Sequence, residues 1–209
     1  MKNAYDCAID VFMKRFPFVD HTHGFNAEGL THLLEKANNA AMQRRGNGIG
    51  GGLKVCEVGS WMGGSARFFA SHSIVSEVVC VDHWDRNQVE NWTPGRHPEE
   101  WMNFMYEHFL ANCLHAGLAK KITPLRITSH EAEKVLEGCT LFDIVYLDGA
   151  HRTALVKQDI EDYAPMARIL CGDDWCFDKE PENVRQAVLD FAQYHSRTVN
   201  QDGNLWWYS

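Results

Sequence analysis

Short apolar runs alternate with amphipathic stretches from residue 53 onward, and this alternation predicts a succession of β-α units. The apolar runs predict strands at residues 53–58, 77–82, 121–127, 141–147 and 166–171. The amphipathic stretches predict helices at residues 64–73, 98–117, 129–138, 152–163 and 181–195. Because strands that are connected through helices lie parallel, the pattern predicts an α/β fold with a doubly wound, mostly parallel sheet.

Two further helices are predicted before this alternation begins. Residues 3–16 and 26–45 have apolar side chains at helical spacing, and Asn26 is a suitable N-cap for the second helix. A glycine-rich connector follows, and its composition indicates flexibility. We therefore expect a helical cover, a connector and a main domain at residues 1–45, 46–52 and 53–209.

The C-terminal residues depart from the β-α alternation. Residues 196–199 and 204–208 are strand-like, and they flank an Asp202-Gly203 pair that is typical of a hairpin turn. This hairpin would add an antiparallel pair of strands at one edge of the sheet.

Small residues join the first predicted strand to its helix in the pattern Glu57-x-Gly59-x-x-x-Gly63-x-Ser65, in which Ser60 is a further small polar residue. A strand that turns through glycines into a helix presents backbone N–H groups and the positive end of the helix dipole. The spacing differs from the Gly-x-Gly-x-x-Gly of dinucleotide sites. The acid that closes the strand would repel a pyrophosphate but suits a ligand with an ammonium group, such as S-adenosylmethionine (SAM). The alternative is a structural turn without a ligand.

Polar residues also follow the second and third predicted strands, where an open α/β sheet binds its ligands. Asp82 ends the second strand and is placed to accept hydrogen bonds from ribose hydroxyls, or to cap a turn. His83 and Trp84 follow it, and Trp84 or a neighbour could stack on adenine. Ser129 either caps the next helix, with Thr128 and Glu131 as a possible capping box, or lies near the adenine amino group. These residues extend the candidate SAM site.

A second group of polar residues follows the fourth and fifth predicted strands. Asp148, Asp173 and Asp174 provide hard oxygen ligands of the kind that Mg²⁺ prefers, and His151 is three residues beyond Asp148. Neutral imidazole accepts a proton near neutral pH, so His151 is a candidate general base. The alternative is a solvated Asp173-Asp174 turn with His151 as an ordinary residue at a helix start.

Composition narrows the class of protein. The chain has 209 residues, 45% hydrophobic content and a net charge of −8, so no overall basic field attracts nucleic acid. Seven cysteines, an odd number without a Cys-x-x-Cys pair, indicate reduced thiols. No stretch is apolar and long enough to cross a membrane, and the N-terminus lacks the apolar core of a signal peptide. We expect a cytoplasmic protein that binds neither nucleic acid nor membrane.

The chain resembles class I SAM-dependent methyltransferases, and more narrowly the metal-dependent O-methyltransferases of the catechol and macrolide-sugar kind. The resemblance covers about residues 53–209. It rests on the glycine motif above, on Asp82, and on the segments Tyr146-Leu-Asp148-Gly-Ala-His151 and Gly172-Asp173-Asp174-Trp175. It implies a seven-stranded sheet with an antiparallel last strand, SAM as the cofactor, and Mg²⁺ or another divalent cation.

The resemblance also implies roles for individual residues. Asp148 would contact both cofactor and metal, Asp173 and Asp174 would complete the metal site, and His151 would be the base. The base is lysine in the catechol kind and histidine in the macrolide-sugar kind, so His151 favours a sugar or glycan acceptor with vicinal hydroxyls.

Several alternatives stay open on the sequence alone. Asp148, His151 and one of the paired aspartates also suit an iron-dependent hydroxylase of the cephalosporin-hydroxylase-like type. A non-catalytic SAM- or nucleoside-binding module is a second alternative. Loop 83–98, with Trp84, Trp92 and His97, and Trp101 beyond it, is a candidate wall or lid for the acceptor, or its aromatic residues pack against the domain. The N-terminal residues, including Phe16, Phe18, His21 and His23, either close over the site or form a contact in a homo-oligomer.

Overall fold

The computed structural model describes residues 3–19, 24–45, 51–88, 97–138, 141–179 and 181–209. Its strands are β1 (Leu53–Val58), β2 (Val75–Asp82), β3 (Ile122–Arg126), β4 (Phe142–Leu147), β5 (Ala167–Gly172), β6 (Asp178–Lys179), β7 (Glu182–Asn183), β8 (Val199–Asp202) and β9 (Leu205–Tyr208). The main sheet has seven strands in the order β3-β2-β1-β4-β5-β9-β8. Strand β9 is antiparallel to both neighbours, and the other pairings are parallel. The predicted fold class is confirmed.

Helices cover both faces of this sheet. In the described part of the chain they are α1 (Ala4–Arg15), α2 (Ala27–Arg45), α3 (Gly64–Ser71), α4 (Glu99–Asn103), α5 (Met105–His115), α6 (Ser129–Leu136), α7 (Thr153–Tyr163) and α8 (Val184–Tyr194). Asn26 caps α2 as predicted, because its Oδ1 accepts a hydrogen bond from the Gly29 N–H at 2.8 Å. Among these described helices, none combines the length and apolar character that a membrane span requires.

The central strands are buried on both faces, and alternate residues therefore enter two different cores. Leu53 and Val55 of β1 belong to one cluster with side chains of α2, α3 and α5. Cys56 and Val58 belong to the other cluster, with side chains of α6, α7 and α8. Leu33 and Leu34 of α2 are fully buried in the first cluster, so this N-terminal helix packs directly on the domain that carries the sheet.

Three local features differ from the sequence predictions. The helix predicted at 98–117 is two helices, because Phe104 leaves helical geometry with φ −130° and ψ 38°. In the C-terminal hairpin the first strand is Val199–Asp202 rather than residues 196–199, and Asp202 pairs with Leu205, so the turn residues are Gly203 and Asn204 rather than Asp202 and Gly203. The short hairpin of β6 and β7 follows Asp174 and was not predicted. Residues 46–50, His21, His23 and Trp92 lie outside the described residues.

The connections create one crevice at the carboxyl edge of the sheet. From β1 the chain adds β2 and β3 on one side, and from β4 it adds β5 on the other side. Strands β1 and β4 are neighbours, so the loops that follow them diverge at the point where the order reverses. In open α/β sheets this switch point is the usual place for a ligand.

Candidate active site

The loops after β1 and β4 are in direct backbone contact at this crevice. Gly59 has a φ of +90°, and a Cβ atom at this position would lie 2.2 Å from the carbonyl oxygen of Asp148. The Asp148 N–H donates to the Val58 carbonyl at 2.8 Å, and the Gly59 N–H donates to the Val81 carbonyl at 2.8 Å. Only glycine meets both the steric and the conformational demand. The two predicted groups of site residues therefore adjoin at Gly59.

Residues 59–63, called the glycine loop, are held in position by Asp82. The Asp82 carboxylate accepts the Trp61 N–H at 2.8 Å and the Trp84 N–H at 2.7 Å. Trp61 has a positive φ of 46°, and the Gly63 N–H donates to the Ser60 carbonyl at 2.7 Å to close the turn. Each oxygen of a carboxylate can accept a second hydrogen bond, so Asp82 retains capacity for a ribose hydroxyl. Its ribose role stays a prediction, and its support of the loop is an addition to that prediction.

Trp84 supports the same loop from the core side. Its side chain is 3% exposed, and its indole N–H donates to the Trp61 carbonyl at 2.6 Å. Its ring packs against Tyr106 and Phe109, with centroids 5.0 Å and 4.7 Å away. Little of the ring is left for an adenine to cover, so Trp84 acts mainly as a packing residue.

Glu57 lies beneath the glycine loop and is fully buried. Within the described residues neither of its carboxylate oxygens has a hydrogen-bond partner of normal geometry. The pKa of Glu57 is raised to about 7, chiefly by burial and to a lesser extent by the Asp82 charge, although the nearby Ser60 and Ser65 hydroxyls oppose the rise. A buried carboxylate without a partner is costly, and a cationic group placed beside it would relieve that cost. This environment fits the ammonium group of a methionine moiety.

A cavity of about 470 Å³ lies beyond the ends of β2 and β3, and one of its lining residues is Trp84, which hydrogen-bonds to Trp61 of the glycine loop. Its polar lining includes His83, Asp85, Arg86, Arg126, Thr128 and Glu131. His83 accepts the Asp85 N–H at Nδ1 at 2.9 Å, so in the neutral ring the proton is on Nε2. The volume and polarity suit a nucleoside. Neither arginine stood out in the sequence, because no motif surrounds them.

Thr128, and not Ser129, is the N-cap of α6. The Thr128 hydroxyl accepts the Glu131 N–H, and the Glu131 carboxylate accepts the Thr128 N–H at 3.0 Å, which forms a capping box. Ser129 is the first helical residue, and its carbonyl accepts the Tyr163 hydroxyl at 2.9 Å. Ser129 is not among the residues that line the cavity, whereas Thr128 and Glu131 are. The cap prediction for Ser129 is corrected, and its contact with the cofactor stays a prediction.

The second group of site residues comes together at the ends of β4 and β5. These strands are neighbours, and the Asp173 N–H donates to the Leu147 carbonyl at 3.0 Å. The Nε2 atom of His151 lies 2.9 Å from Oδ2 of Asp174. Asp174 has a φ of 63°, an uncommon conformation for a residue other than glycine. The turn after β5 thus brings Asp174 to His151.

The three acids of this group repel one another. Burial raises the pKa of Asp148 well above its usual range, and Asp173 and then Asp174 raise it further. Burial and the Asp174 charge raise the pKa of Asp173 to about 6, although the Tyr146 hydroxyl lowers it. In the described residues one Asp173 oxygen is buried without a hydrogen-bond partner. An oxygen-rich, like-charged set of this kind fits a divalent cation.

The acids do not converge as closely as a formed metal site requires. Among the residues that the structure describes, the group with three ligand atoms all within 4.8 Å of one another is His130, Glu133 and Asp162, between α6 and α7. His130 and Asp162 there already form an ion pair at 3.0 Å. The predicted metal site would need side-chain rotation to assemble around an ion, and it stays a prediction.

A family model described as a methyltransferase domain matches residues 56–174, which is more than half of the chain. This match contains the glycine loop, Asp82 and all four residues of the second group. Among curated proteins, no sequence matches this chain.

Solved structures with this fold include several methyltransferases. The O-methyltransferase TomG from Streptomyces achromogenes, in complex with SAM, is 14% identical with a TM-score of 0.56, over 100% of this chain and 90% of that chain. An O-methyltransferase from Bacillus cereus is 13% identical with a TM-score of 0.55, over 100% and 91% of the two chains. A precorrin-6y C5,15-methyltransferase from Geobacter metallireducens is 10% identical with a TM-score of 0.54, over 93% and 92%. At these identities the likeness establishes the fold.

Proposed function

We propose an acceptor for this chain, which belongs to the methyltransferase domain family and is a SAM-dependent methyltransferase. In this proposal it methylates a hydroxyl of a small acceptor with vicinal hydroxyls, such as a sugar or glycan. One observation carries this proposal. His151 is paired with Asp174 at 2.9 Å in a carboxylate-rich site, and Asp148 of that site touches Gly59 of the glycine loop. A proton acceptor therefore lies next to the proposed place of the methyl donor.

Three features support a SAM site on the glycine-loop side. Buried Glu57, whose oxygens have no hydrogen-bond partner of normal geometry among the described residues, offers its carboxylate to the ammonium group of the methionine moiety. Asp82 offers hydrogen-bond acceptors to the ribose, and the adjoining cavity has room for the adenine. When bound, SAM supplies an electrophilic methyl group on a sulfonium, so the chain has to position the acceptor and remove its proton.

His151 would remove that proton. If Nε2–H of the neutral ring donates to Asp174, the lone pair is on Nδ1, which is then the atom that accepts the proton of the acceptor hydroxyl. The ionised Asp174 carboxylate stabilises the imidazolium that forms, and it orients the ring. The acceptor oxygen forms its bond to the methyl carbon while the carbon–sulfur bond breaks, and the proton stays on His151. Both products are then uncharged at the reacting atoms.

Asp148, Asp173 and Asp174 would hold a divalent cation such as Mg²⁺. The cation would supply positive charge near the acceptor oxygens and so favour the alkoxide. In the described residues Asp173 has one buried oxygen without a hydrogen-bond partner, and burial, followed by repulsion among the acids, raises the pKa values of Asp148 and Asp173. Side chains that repel in this way gain most from a cation.

The test is a methylation assay that uses mass spectrometry and a panel of sugars and other vicinal diols. We expect a gain of one CH₂ with SAM, loss of activity with EDTA, and recovery with Mg²⁺. His151→Ala should lower kcat by about a hundredfold or more while affinity for S-adenosylhomocysteine (SAH) stays near normal. His195→Ala, in an exposed histidine after α8, is the matched control and should be unaffected.

Other outcomes would separate the alternatives. A gain of one oxygen atom with Fe²⁺ would indicate a hydroxylase of the cephalosporin-hydroxylase-like type. Methyl transfer at the same rate in EDTA would remove the metal from the proposal. Equal kcat in His151→Ala and the native protein would remove His151 as the base.

A further inference from the structure

The chain segment of residues 16–19, called the N-terminal segment, lies against α5 close to the glycine loop. Phe16 is 5% exposed, and its ring packs edge-on against His108 of α5 with centroids 5.3 Å apart. The Phe16 carbonyl accepts a hydrogen bond from Nε2 of His115 at 3.1 Å. These contacts fix the segment along one side of α5.

Asn112 of α5 connects this segment to the glycine loop. Its side chain is completely buried, with Oδ1 accepting the Val19 N–H at 2.9 Å and Nδ2 donating to the Met62 carbonyl at 2.9 Å. A backbone N–H can only donate and a carbonyl can only accept, so these two partners determine the orientation of the amide. One buried side chain thus satisfies backbone groups of both segments.

Arg67 of α3 makes a second connection between the same two segments. Its Nε–H donates to the Gly63 carbonyl at 3.0 Å, and its guanidinium carbon lies 4.7 Å from the centre of the Phe18 ring. The glycine loop contains three residues with positive φ, namely Gly59, Trp61 and Gly63. Trp61 is the residue of the three that is not glycine, so its conformation is unfavourable and persists only if its surroundings hold it. The N-terminal segment is part of those surroundings.

We propose that Asn112 is a positioning residue for the methyl donor, which acts by holding the glycine loop and coupling it to the N-terminal segment. The inference rests on the proposed binding of SAM at that loop. If the Met62 carbonyl loses its donor, a buried polar group is left unpaired and the loop relaxes away from its binding geometry. Because coupling between two segments is reciprocal, SAH bound at the loop also stabilises residues 16–19 through Asn112.

The first test compares SAH affinity in two isosteric variants. Asn112→Asp keeps an acceptor for Val19, but its ionised carboxylate has no N–H to donate to the Met62 carbonyl, so the connection to the loop is lost; binding is therefore measured at about pH 8, where ionisation of the carboxyl group is favoured. We expect the Kd for SAH and the KM for SAM to rise about tenfold, with kcat at saturating SAM nearly unchanged. Asn39→Asp, an exposed site on α2, is the matched control and should behave like the native protein. Equal SAH affinity in Asn112→Asp and the native protein would overturn the proposal.

The second test is amide hydrogen exchange on the native protein. Bound SAH should slow exchange at the amides of Phe16, Phe18 and Val19 (Pro17 has no N–H), and this protection should vanish in Asn112→Asp but persist in Asn39→Asp. Phe18→Ala removes the ring that Arg67 covers without disturbing the core, and should weaken SAH binding about threefold. If Asn112→Asp does not fold, Phe18→Ala and the exchange pattern of the native protein test whether residues 16–19 are coupled to the glycine loop. Unchanged exchange at 16–19 with SAH bound would overturn the coupling.

The donor assignment and the role of Asn112 can fail separately. If the native protein does not bind SAH in calorimetry, the proposed donor site is wrong, and the role of Asn112 is overturned with it. If the native protein binds SAH, while Asn112→Asp binds it equally well, only the role of Asn112 is overturned.

Discussion

Replacing Glu57 with glutamine should make the ligand-free protein more stable while it weakens donor binding. Glu57 is fully buried, and in the described residues its carboxylate oxygens have no hydrogen-bond partner of normal geometry. Glutamine has nearly the same shape but does not ionise. The substitution therefore removes a buried charge and leaves the packing around the glycine loop almost unchanged.

The size of the effect follows from the pKa of Glu57. The ordinary value is 4.5, and burial raises the pKa in the folded protein to about 7. The folded state thus holds the proton more tightly than the unfolded chain. The contribution of Glu57 to the free energy of unfolding is therefore complete below pH 4.5. It falls as the pH rises from 4.5 to about 7, and it is lost above that range. The full difference corresponds to about 3 kcal/mol of unfolding free energy.

The assay is urea denaturation of the native protein and Glu57→Gln at two pH values, without ligand. At about pH 8 the variant should be more stable by about 3 kcal/mol, and at about pH 4.5 the two should be similar. Glu161→Gln, an exposed site on α7, is the matched control and should not change the pH dependence. In calorimetry Glu57→Gln should bind SAH more weakly, because the carboxylate that faces the ammonium group has lost its charge.

Two results would refute this reasoning. If Glu57→Gln were no more stable than the native protein at the higher pH, the carboxylate would not be destabilising in the ligand-free fold. If the variant were more stable but bound SAH with unchanged affinity, Glu57 would be a buried acid that does not contact the donor.

Three further predictions concern the same crevice. Gly59→Ala should lower the unfolding free energy by about 3 kcal/mol or more, since the new Cβ would overlap the Asp148 carbonyl. Thermal unfolding measures this change, and Gly149→Ala, where a Cβ meets only ordinary contacts, is the control. Asp173→Asn should stabilise the metal-free protein, because it removes one of three repelling acids, and should abolish any rise in melting temperature on adding Mg²⁺; an equal rise in both proteins would contradict the metal assignment. Asp82→Ala should weaken SAH binding in calorimetry, because it frees the Trp61 N–H as well as removing the ribose acceptor, and native affinity would count against both roles.

The boundaries of the elements show which sequence signals are reliable. Strand β1 was predicted at 53–58 and runs from Leu53 to Val58, because Gly52 and Gly59 bound a short, mostly apolar run that has little freedom to shift. The helix predicted at 98–117 breaks at Phe104, although the helical pattern of apolar residues continues through it. The turn at Gly203-Asn204 is displaced by one residue, since the register of β8 on β9 is decided by their pairing.

The sequence predicts which residues form the candidate site, but not which groups those residues contact. Topology alone implies that Asp148 and Asp173 meet, because they end strands that must be neighbours in a doubly wound sheet. The sequence could not indicate that Asp82 holds the backbone of Trp61, since that contact depends on how the glycine loop folds back over β2.

What the sequence by itself determined is the alternation of strands and helices, the glycine loop, and the acids at the strand ends. These are local properties, because each depends on residues close together in the chain and on the periodicity of their apolar side chains. Only the tertiary structure decided that Glu57 lacks a hydrogen-bond partner among the described residues, that His151 pairs with Asp174, and that Asn112 bridges Val19 and Met62. Those contacts arise from packing between distant elements, and a one-dimensional pattern records which side chains are polar but not which groups they meet.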